Sequence, residues 1–164
     1  MGFMSSFDIS GYGLSAQRLR MNVISSNIAN ANTTRTDEGG PYRRREVIFK
    51  EINFDDELNR ALKNNFDLKE NENYVDDPLE KRFATPPIST VVVDKIVRDD
   101  KPFKLRFDPE NPDADENGYI KLPNINPVLE MSDLIEATRA YQANVAAFQN
   151  TKAIAQSAID MMKG

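Results

Sequence analysis

The end of the chain constrains the fold most, because no proline or glycine occurs between Pro127 and Gly164. Residues in this stretch recur at alternating spacings of three and four, which is typical of one face of a long helix. Asn126 is a favourable N-cap, and a proline suits the first helical position. The sequence therefore predicts a helix over 127–163. Its row consists of Met131, Leu134, Thr138, Tyr141, Val145, Phe148, Lys152, Ala155, Ile159 and Met162.

The N-terminal segment predicts a second, weaker helix. Gly11 and Gly13 lie within it, and a glycine costs about 1 kcal/mol relative to alanine inside a helix. We therefore expect this helix to need a partner, and alanine at both glycines to raise the helicity of the isolated chain. Its apolar row has the same spacing and consists of Ile9, Tyr12, Ala16, Leu19 and Val23.

The predicted C-terminal helix is too long for a compact domain. Its length would be about 55 Å at 1.5 Å per residue, whereas a compact chain of this size is about 40 Å across. We expect the two terminal helices to pair antiparallel in a coiled-coil-like domain, formed by 1–36 and 123–164. That domain would project from a smaller unit over 37–122.

The C-terminal helix also carries apolar residues outside its row. A stripe this wide indicates contact with more than one partner helix. Helices of neighbouring subunits could cover it, or the middle of the same chain could do so, and the pattern alone leaves both open. These residues are Ile135, Ala147, Ile154, Ala158 and Met161.

The middle of the chain predicts a small acidic β-rich unit, which makes the fold class α+β. Residues 31–48 are rich in threonine, glycine and arginine and predict a long loop. A short helix is expected over 55–64 and a loop over 69–77. Alternating or β-branched runs predict strands over 46–54, 88–97, 104–107 and 119–122.

Composition argues against an enzyme. The chain has no histidine and no cysteine, so histidine acid–base catalysis, cysteine nucleophiles and disulfides are excluded. A hydrolase built on carboxylates stays open, although no convergent pair can be placed. The segment 37–120 carries a net charge of −7, which argues against nucleic acid as a partner. Arg43, Arg44 and Arg45 form the one basic cluster.

One acidic run imitates half of a calcium loop. Asp113, Asp115, Asn117 and Gly118 have the spacing of its first ligands. The twelfth position is Asn124 instead of the bidentate glutamate that calcium requires. An acidic turn before a strand is the favoured interpretation, and a calcium-binding adaptor is the alternative. We expect no metal and no other cofactor.

Two separate motifs resemble the bacterial flagellar axial proteins of the rod and hook type. The first is 15–34 and the second comprises 118–126 and 131–145, in the order and spacing of that family. The run 113–119 and the short chain resemble its proximal-rod subunits. The matching residues include Asn27, Ile28, Ala29, Asn30, Pro123, Asn124, Arg139 and Asn144.

The resemblance implies a structural subunit of the proximal rod, the shaft that crosses the periplasm and transmits torque for motility. It implies type III flagellar export of the unfolded chain, without a cleavable signal or a small-molecule substrate. Implied partners are other rod subunits, the rod-base adaptor and the inner-membrane ring, and Arg43, Arg44 and Arg45 are candidates for an acidic neighbour. Candidate subunit-packing residues are Ile9, Leu19, Val23, Ile28, Leu134, Ile135, Tyr141, Val145, Phe148 and Ile159.

Overall fold

The fold consists of two long helices and two antiparallel ribbons. The computed structural model describes residues 3–53 and 89–163, so the predicted helix over 55–64 and loop over 69–77 lie outside the described residues. The α+β class is confirmed. In chain order the elements are α1 (Phe3–Ala29), β1 (Arg45–Asn53), β2 (Ser89–Arg98), β3 (Lys104–Phe107), β4 (Tyr119–Leu122) and α2 (Pro127–Lys163).

The C-terminal helix α2 has the predicted bounds. The backbone N–H of Val128 donates to Oδ1 of Asn126 at 3.1 Å, as an N-cap requires. Pro127 is the first helical residue. The helix ends with Lys163 in its last turn, where a cation is favourable beside the helix dipole.

The two helices lie against each other and run antiparallel. The rings of Phe7 and Phe148 are 5.0 Å apart between centroids. Further along α1, Nη1 of Arg20 lies 3.3 Å from Oε1 of Glu136. Positions in α2 therefore fall as positions in α1 rise.

The two glycines of α1 lie in different surroundings, and the expectation that alanine at both raises the helicity of the isolated chain stays a prediction. A Cβ atom at Gly11 would meet nothing within 4 Å. At Gly13 it would lie 2.9 Å from Nδ2 of Asn144. Gly13 is therefore a point of close approach to α2, and a side chain there must displace the amide of Asn144.

The β1–β2 ribbon pairs Arg45 with Arg98 and continues to Asn53 opposite Ser89. Its register shifts after Ile48, which indicates a bulge. Both strands contact α1. The loop predicted over 31–48 is shorter than expected, because strand pairing already begins at Arg45.

The connection between the two strands of the β3–β4 ribbon ends in a tight acidic turn directly before β4. Oδ1 of Asp115 accepts hydrogen bonds from the N–H groups of Asn117 and Tyr119, both at 2.9 Å. Gly118 has φ of 78°, the left-handed region that favours glycine. A Cβ atom there would also lie 3.0 Å from the ring of Phe107.

The apolar core of the described residues lies where the C-terminal part of α1 and the start of α2 meet the ribbons. Neither described helix combines the length and apolar character needed to cross a membrane. The buried apolar residues are Ala16, Val23, Ile24, Tyr42, Ile120, Ile125 and Ala137.

Candidate assembly surface

The side of α2 that faces α1 differs from the predicted row at both of its ends. Glu130 and Ala137 are the buried residues of α2, and Asn144, seven positions further on, approaches Gly13. Met131 is 52% exposed and Met162 is 87% exposed, although both belong to the predicted row. Polar residues form part of the side of α2 that faces α1, so apolar spacing alone predicts the position of that side incorrectly.

The predicted packing residues divide into three groups by exposure. Val23 is buried. Ile135 and Ile159 are 56% and 51% exposed, so they remain accessible on the surface of α2. The half-buried group consists of Ile9, Leu19, Ile28, Leu134, Tyr141, Val145 and Phe148.

The second apolar row of α2 lies on the surface. Ile154 and Met161 are 64% and 78% exposed, and Ala147 and Ala158 are exposed as well. Together with Ile135 these residues form what we call the outer row. Within the described ranges the chain leaves these side chains open to solvent.

A buried polar cluster joins the end of α1 to the start of α2 and β1. Asn27 is 1% exposed and Glu130 is 2% exposed. Nδ2 of Asn27 donates to Oε2 of Glu130 at 3.1 Å and to the carbonyl of Arg45 at 2.8 Å. Its Oδ1 accepts from the N–H of Arg45 at 2.9 Å and from the hydroxyl of Tyr42 at 3.2 Å. All four bonding positions of the amide are therefore filled.

Arg44 neutralises the buried carboxylate of this cluster. Its Nε donates to Oε1 of Glu130 at 2.6 Å, and its guanidinium also lies near Glu46 and Asp133. Burial lowers the pKa of Arg44, but the hydrogen bond and the charge of Glu130 outweigh that effect and raise it. The guanidinium of Arg44 therefore stays protonated beside the carboxyl group of Glu130. We call the set of Asn27, Tyr42, Arg44 and Glu130 the polar junction.

The other two arginines of the basic cluster also contact their own chain. The guanidinium of Arg43 lies 4.7 Å from the ring centroid of Phe103, and its Nη1 donates to the carbonyl of Asp99 at 3.1 Å. The guanidinium of Arg45 lies 5.6 Å from the ring centroid of Tyr42, although its side chain is on an exposed position.

The remaining motif residues occupy different environments. Nδ2 of Asn30 donates to the carbonyl of Ser26 at 2.8 Å, near the end of α1. Pro123 is fully buried. Ile28, Asn124 and Asn144 are half-buried, and Ala29 and Arg139 are exposed. The two motifs therefore do not form one contiguous surface, but each contributes to the region where the helix ends meet.

Sequence reasoning missed Glu130, Tyr42 and the role of Gly13. A glutamate in the first turn of a helix is ordinary in a sequence, because it also suits the helix dipole. Its partner Arg44 is 86 positions away in the chain. The arginine cluster was the sequence signal for this contact. In the structure three acidic groups of α2 and β1 lie around Arg44.

The acidic turn has the geometry of a hydrogen-bonded turn. Oδ1 of Asp115 is occupied by backbone N–H groups, and Oδ2 of Asp113 accepts from the hydroxyl of Thr34 at 2.7 Å. In the part of the chain that the structure describes, no group of three or more acidic side chains is arranged to hold a metal ion.

Comparison with known protein families finds matches at the same two ends of the chain that carry the sequence motifs. Residues 7–35 match the family described as flagella basal body rod protein. Residues 116–161 match the family described as flagellar basal body rod FlgEFG protein C-terminal. The first match contains Asn27 and the second contains Glu130, whereas Tyr42 and Arg44 lie between the two matched segments.

Relatives match over nearly the whole chain. The chain is 39% identical to the flagellar basal-body rod protein FlgC of Borreliella burgdorferi, over 100% of both chains. It is 37% identical to the protein of the same name from Aquifex aeolicus, over 99% of both chains. It is also 37% identical to that of Bacillus subtilis, over 96% of this chain and 97% of the relative.

Proposed function

We propose, from the premise that the chain belongs to the family of flagellar basal-body rod proteins, that its paired terminal helices build it into the rod. Members of this family are structural proteins of the flagellar basal body, so the chain is a structural rod subunit and not an enzyme.

The observation that supports this proposal is the exposed outer row of α2. Ile135, Ile154 and Met161 are all more than half exposed. Burying a large aliphatic side chain contributes about 1.5–3 kcal/mol, so covering this row by helices of neighbouring subunits would add several such terms per subunit. Many coupled apolar contacts between helices would resist the shear that accompanies torque.

We place the subunit in the proximal rod, where the shaft crosses the periplasm. Its partners there are other rod subunits, the rod-base adaptor and the inner-membrane ring. The chain reaches this site through the flagellar type III export apparatus. The flagellar rod relatives support this placement through their identity over nearly the whole chain.

We further propose a division of labour along the chain. Residues 1–36 and 123–164 form a coiled-coil-like assembly domain, and residues 37–122 form the outer unit. The antiparallel contacts between α1 and α2 support the first part. Of the basic cluster, the exposed Arg45 is the best candidate for contact with an acidic neighbour.

The experiment uses a strain that lacks the gene for this chain. It is complemented with wild type or with an Ile135→Asp, Ile154→Asp double variant, which places charge on the outer row. We expect this variant to fold, with wild-type helix content by circular dichroism, but to leave basal bodies without a rod in electron micrographs and cells non-motile.

A matched double variant, Gln142→Asp with Gln149→Asp, controls for added charge on the same helix, because both glutamines are exposed. It should restore rods and motility. Normal rods with the outer-row variant would show that another surface carries assembly. Normal rods in the uncomplemented strain would refute the proposed function itself.

A further inference from the structure

We infer that the polar junction fixes the orientation and register of the β1–β2 ribbon relative to the helix pair. This inference rests on the proposed function, because a torque-transmitting subunit must not swing between its helices and its outer unit. Within the described residues, α1, α2 and the start of β1 meet through buried polar contacts at the polar junction.

Asn27 holds the backbone of β1 as a neighbouring strand would. It binds both the N–H and the carbonyl of Arg45, at 2.9 Å and 2.8 Å. A slip of β1 by one residue would move these groups by about 3.3 Å. Both hydrogen bonds would then be lost together, so the side chain at the end of α1 determines the register of the ribbon.

The charged pair extends this connection to α2. Glu130 binds Asn27 with one carboxylate oxygen and Arg44 with the other. Arg44 directly precedes β1 in the chain. Glu130, in the first turn of α2, therefore contacts the residue before β1 directly and the backbone of Arg45 through Asn27. A rotation of the ribbon about α1 would stretch the contact between Arg44 and Glu130.

Apolar contacts alone would hold the ribbon less specifically. Val47 and Phe49 of β1 share the lining of an open cleft with Val23 and Ile24 of α1. Apolar contact is non-directional, so it tolerates sliding, whereas hydrogen bonds weaken steeply when their angles change. A fully satisfied buried network therefore specifies a single arrangement of the elements that it joins.

The test measures distances between spin labels on the purified full-length chain. The absence of cysteine allows two introduced cysteines to be labelled selectively. One pair, Lys95→Cys with Gln142→Cys, spans the ribbon and α2. A second pair, Ser15→Cys with Gln156→Cys, spans only the two helices. All four positions are exposed.

Each cysteine pair is then introduced into a chain that also carries one junction substitution, either Arg44→Met or Glu130→Gln. Glu130→Gln keeps the size of the side chain and an acceptor for Asn27, so it is the milder change. Arg98→Met is the matched control, because Arg98 forms an exposed pair with Glu38 at 2.6 Å, the same distance as in the buried pair.

We expect both junction variants to broaden the ribbon-to-helix distance distribution at least twofold while the helix-to-helix distribution stays narrow. Arg98→Met should change neither. An unchanged ribbon-to-helix distribution in both junction variants would overturn the inference. Loss of the narrow helix-to-helix distribution in both variants would overturn it too, because the junction would then hold the helix pair itself together.

The outcome is independent of rod assembly. Distances are measured on the isolated subunit, whereas the proposed function is tested by rods in the complemented strain. A junction that controls the ribbon in a chain that builds no rod would count against the proposed function only.

Discussion

At the scale of single residues, stability depends on polar groups that have been removed from water. Glu130 is 2% exposed and carries a charge that is compensated by Arg44 and bonded by Asn27. A buried pair of this kind adds little net stability relative to apolar packing, yet removing one partner leaves an uncompensated buried charge. The residue is therefore more sensitive to substitution than its type suggests.

Glu130→Ala should lower the free energy of unfolding by about 1–3 kcal/mol, because Asn27 and Arg44 lose a hydrogen-bond partner while Arg44 keeps two other carboxyl groups nearby. Glu136→Ala is the matched control on the same helix, since Glu136 pairs with Arg20 but is 69% exposed. It should cost less than about 1 kcal/mol. Urea denaturation followed by circular dichroism measures both, and equal losses would contradict the buried-pair account.

The two glycines of α1 should respond differently to alanine. Gly11→Ala should raise the free energy of unfolding by up to about 1 kcal/mol, because it removes the helix penalty of glycine in open space. Gly13→Ala should gain less or lose stability, because its Cβ would displace Asn144. Thermal melts of the single variants measure the difference.

Asn144→Ala tests the cause of that difference. In a chain with Asn144→Ala the amide no longer lies in the way of a Cβ atom at position 13. Gly13→Ala should then raise the free energy of unfolding as much as Gly11→Ala does. If the Gly13 variant remained equally unfavourable beside alanine at 144, the contact with Asn144 would not be the reason.

At the scale of elements, the loop between α1 and β1 is attached to the ribbon by an exposed ion pair. Arg98 on β2 donates to both carboxylate oxygens of Glu38, at 2.6 Å and 3.0 Å. The hydrogen bonds and charge of Arg98 lower the pKa of Glu38. The pair thus connects the loop to the far strand of the ribbon, while the polar junction connects the near strand to the helices.

The Glu38–Arg98 pair should stabilise the fold in a pH-dependent manner. A carboxyl whose pKa is lowered by folding contributes fully above its ordinary value of 4.5, and the contribution disappears as the pH falls through the lower folded value. The stability difference between wild type and Glu38→Gln should therefore shrink below about pH 4.5.

Urea midpoints from pH 7 to pH 3 measure this difference. Arg98→Gln should reproduce it, and the double variant should add nothing further, because both changes remove the same interaction. A difference that stayed constant over this range would mean that the pair does not contribute to folding.

At the scale of the whole molecule, the described chain exposes much of its apolar surface. Large side chains such as Leu105, Phe107, Ile135 and Ile154 are more than half exposed, and the buried apolar set is small. A long helix pair has too little body around it to cover every face. A subunit of an assembly can have this distribution, because its neighbours provide the missing cover.

Much of the fold could be predicted from local sequence signals. The bounds of α2, β3 and β4 are as predicted. Strand β1 begins one residue earlier and β2 ends one residue later than predicted, and positions 54 and 88 lie outside the described residues. Caps, proline and periodicity act over a few residues, so a sequence displays them directly. The two terminal motifs likewise identify the family from short, local runs of sequence.

Local sequence signals predict two long terminal helices, strands between them and a surplus of apolar helix surface. The antiparallel pairing of those strands, the face of α2 that is buried, the difference between Gly13 and Gly11 and the contacts of Arg44 follow only from the folded chain. The reason is physical: Asn27 and Glu130 are 103 positions apart, and whether a polar side chain is buried depends on what the folded chain places beside it. Periodicity is a property of a single helix or strand, whereas a buried hydrogen bond between distant residues depends on two elements that pack together.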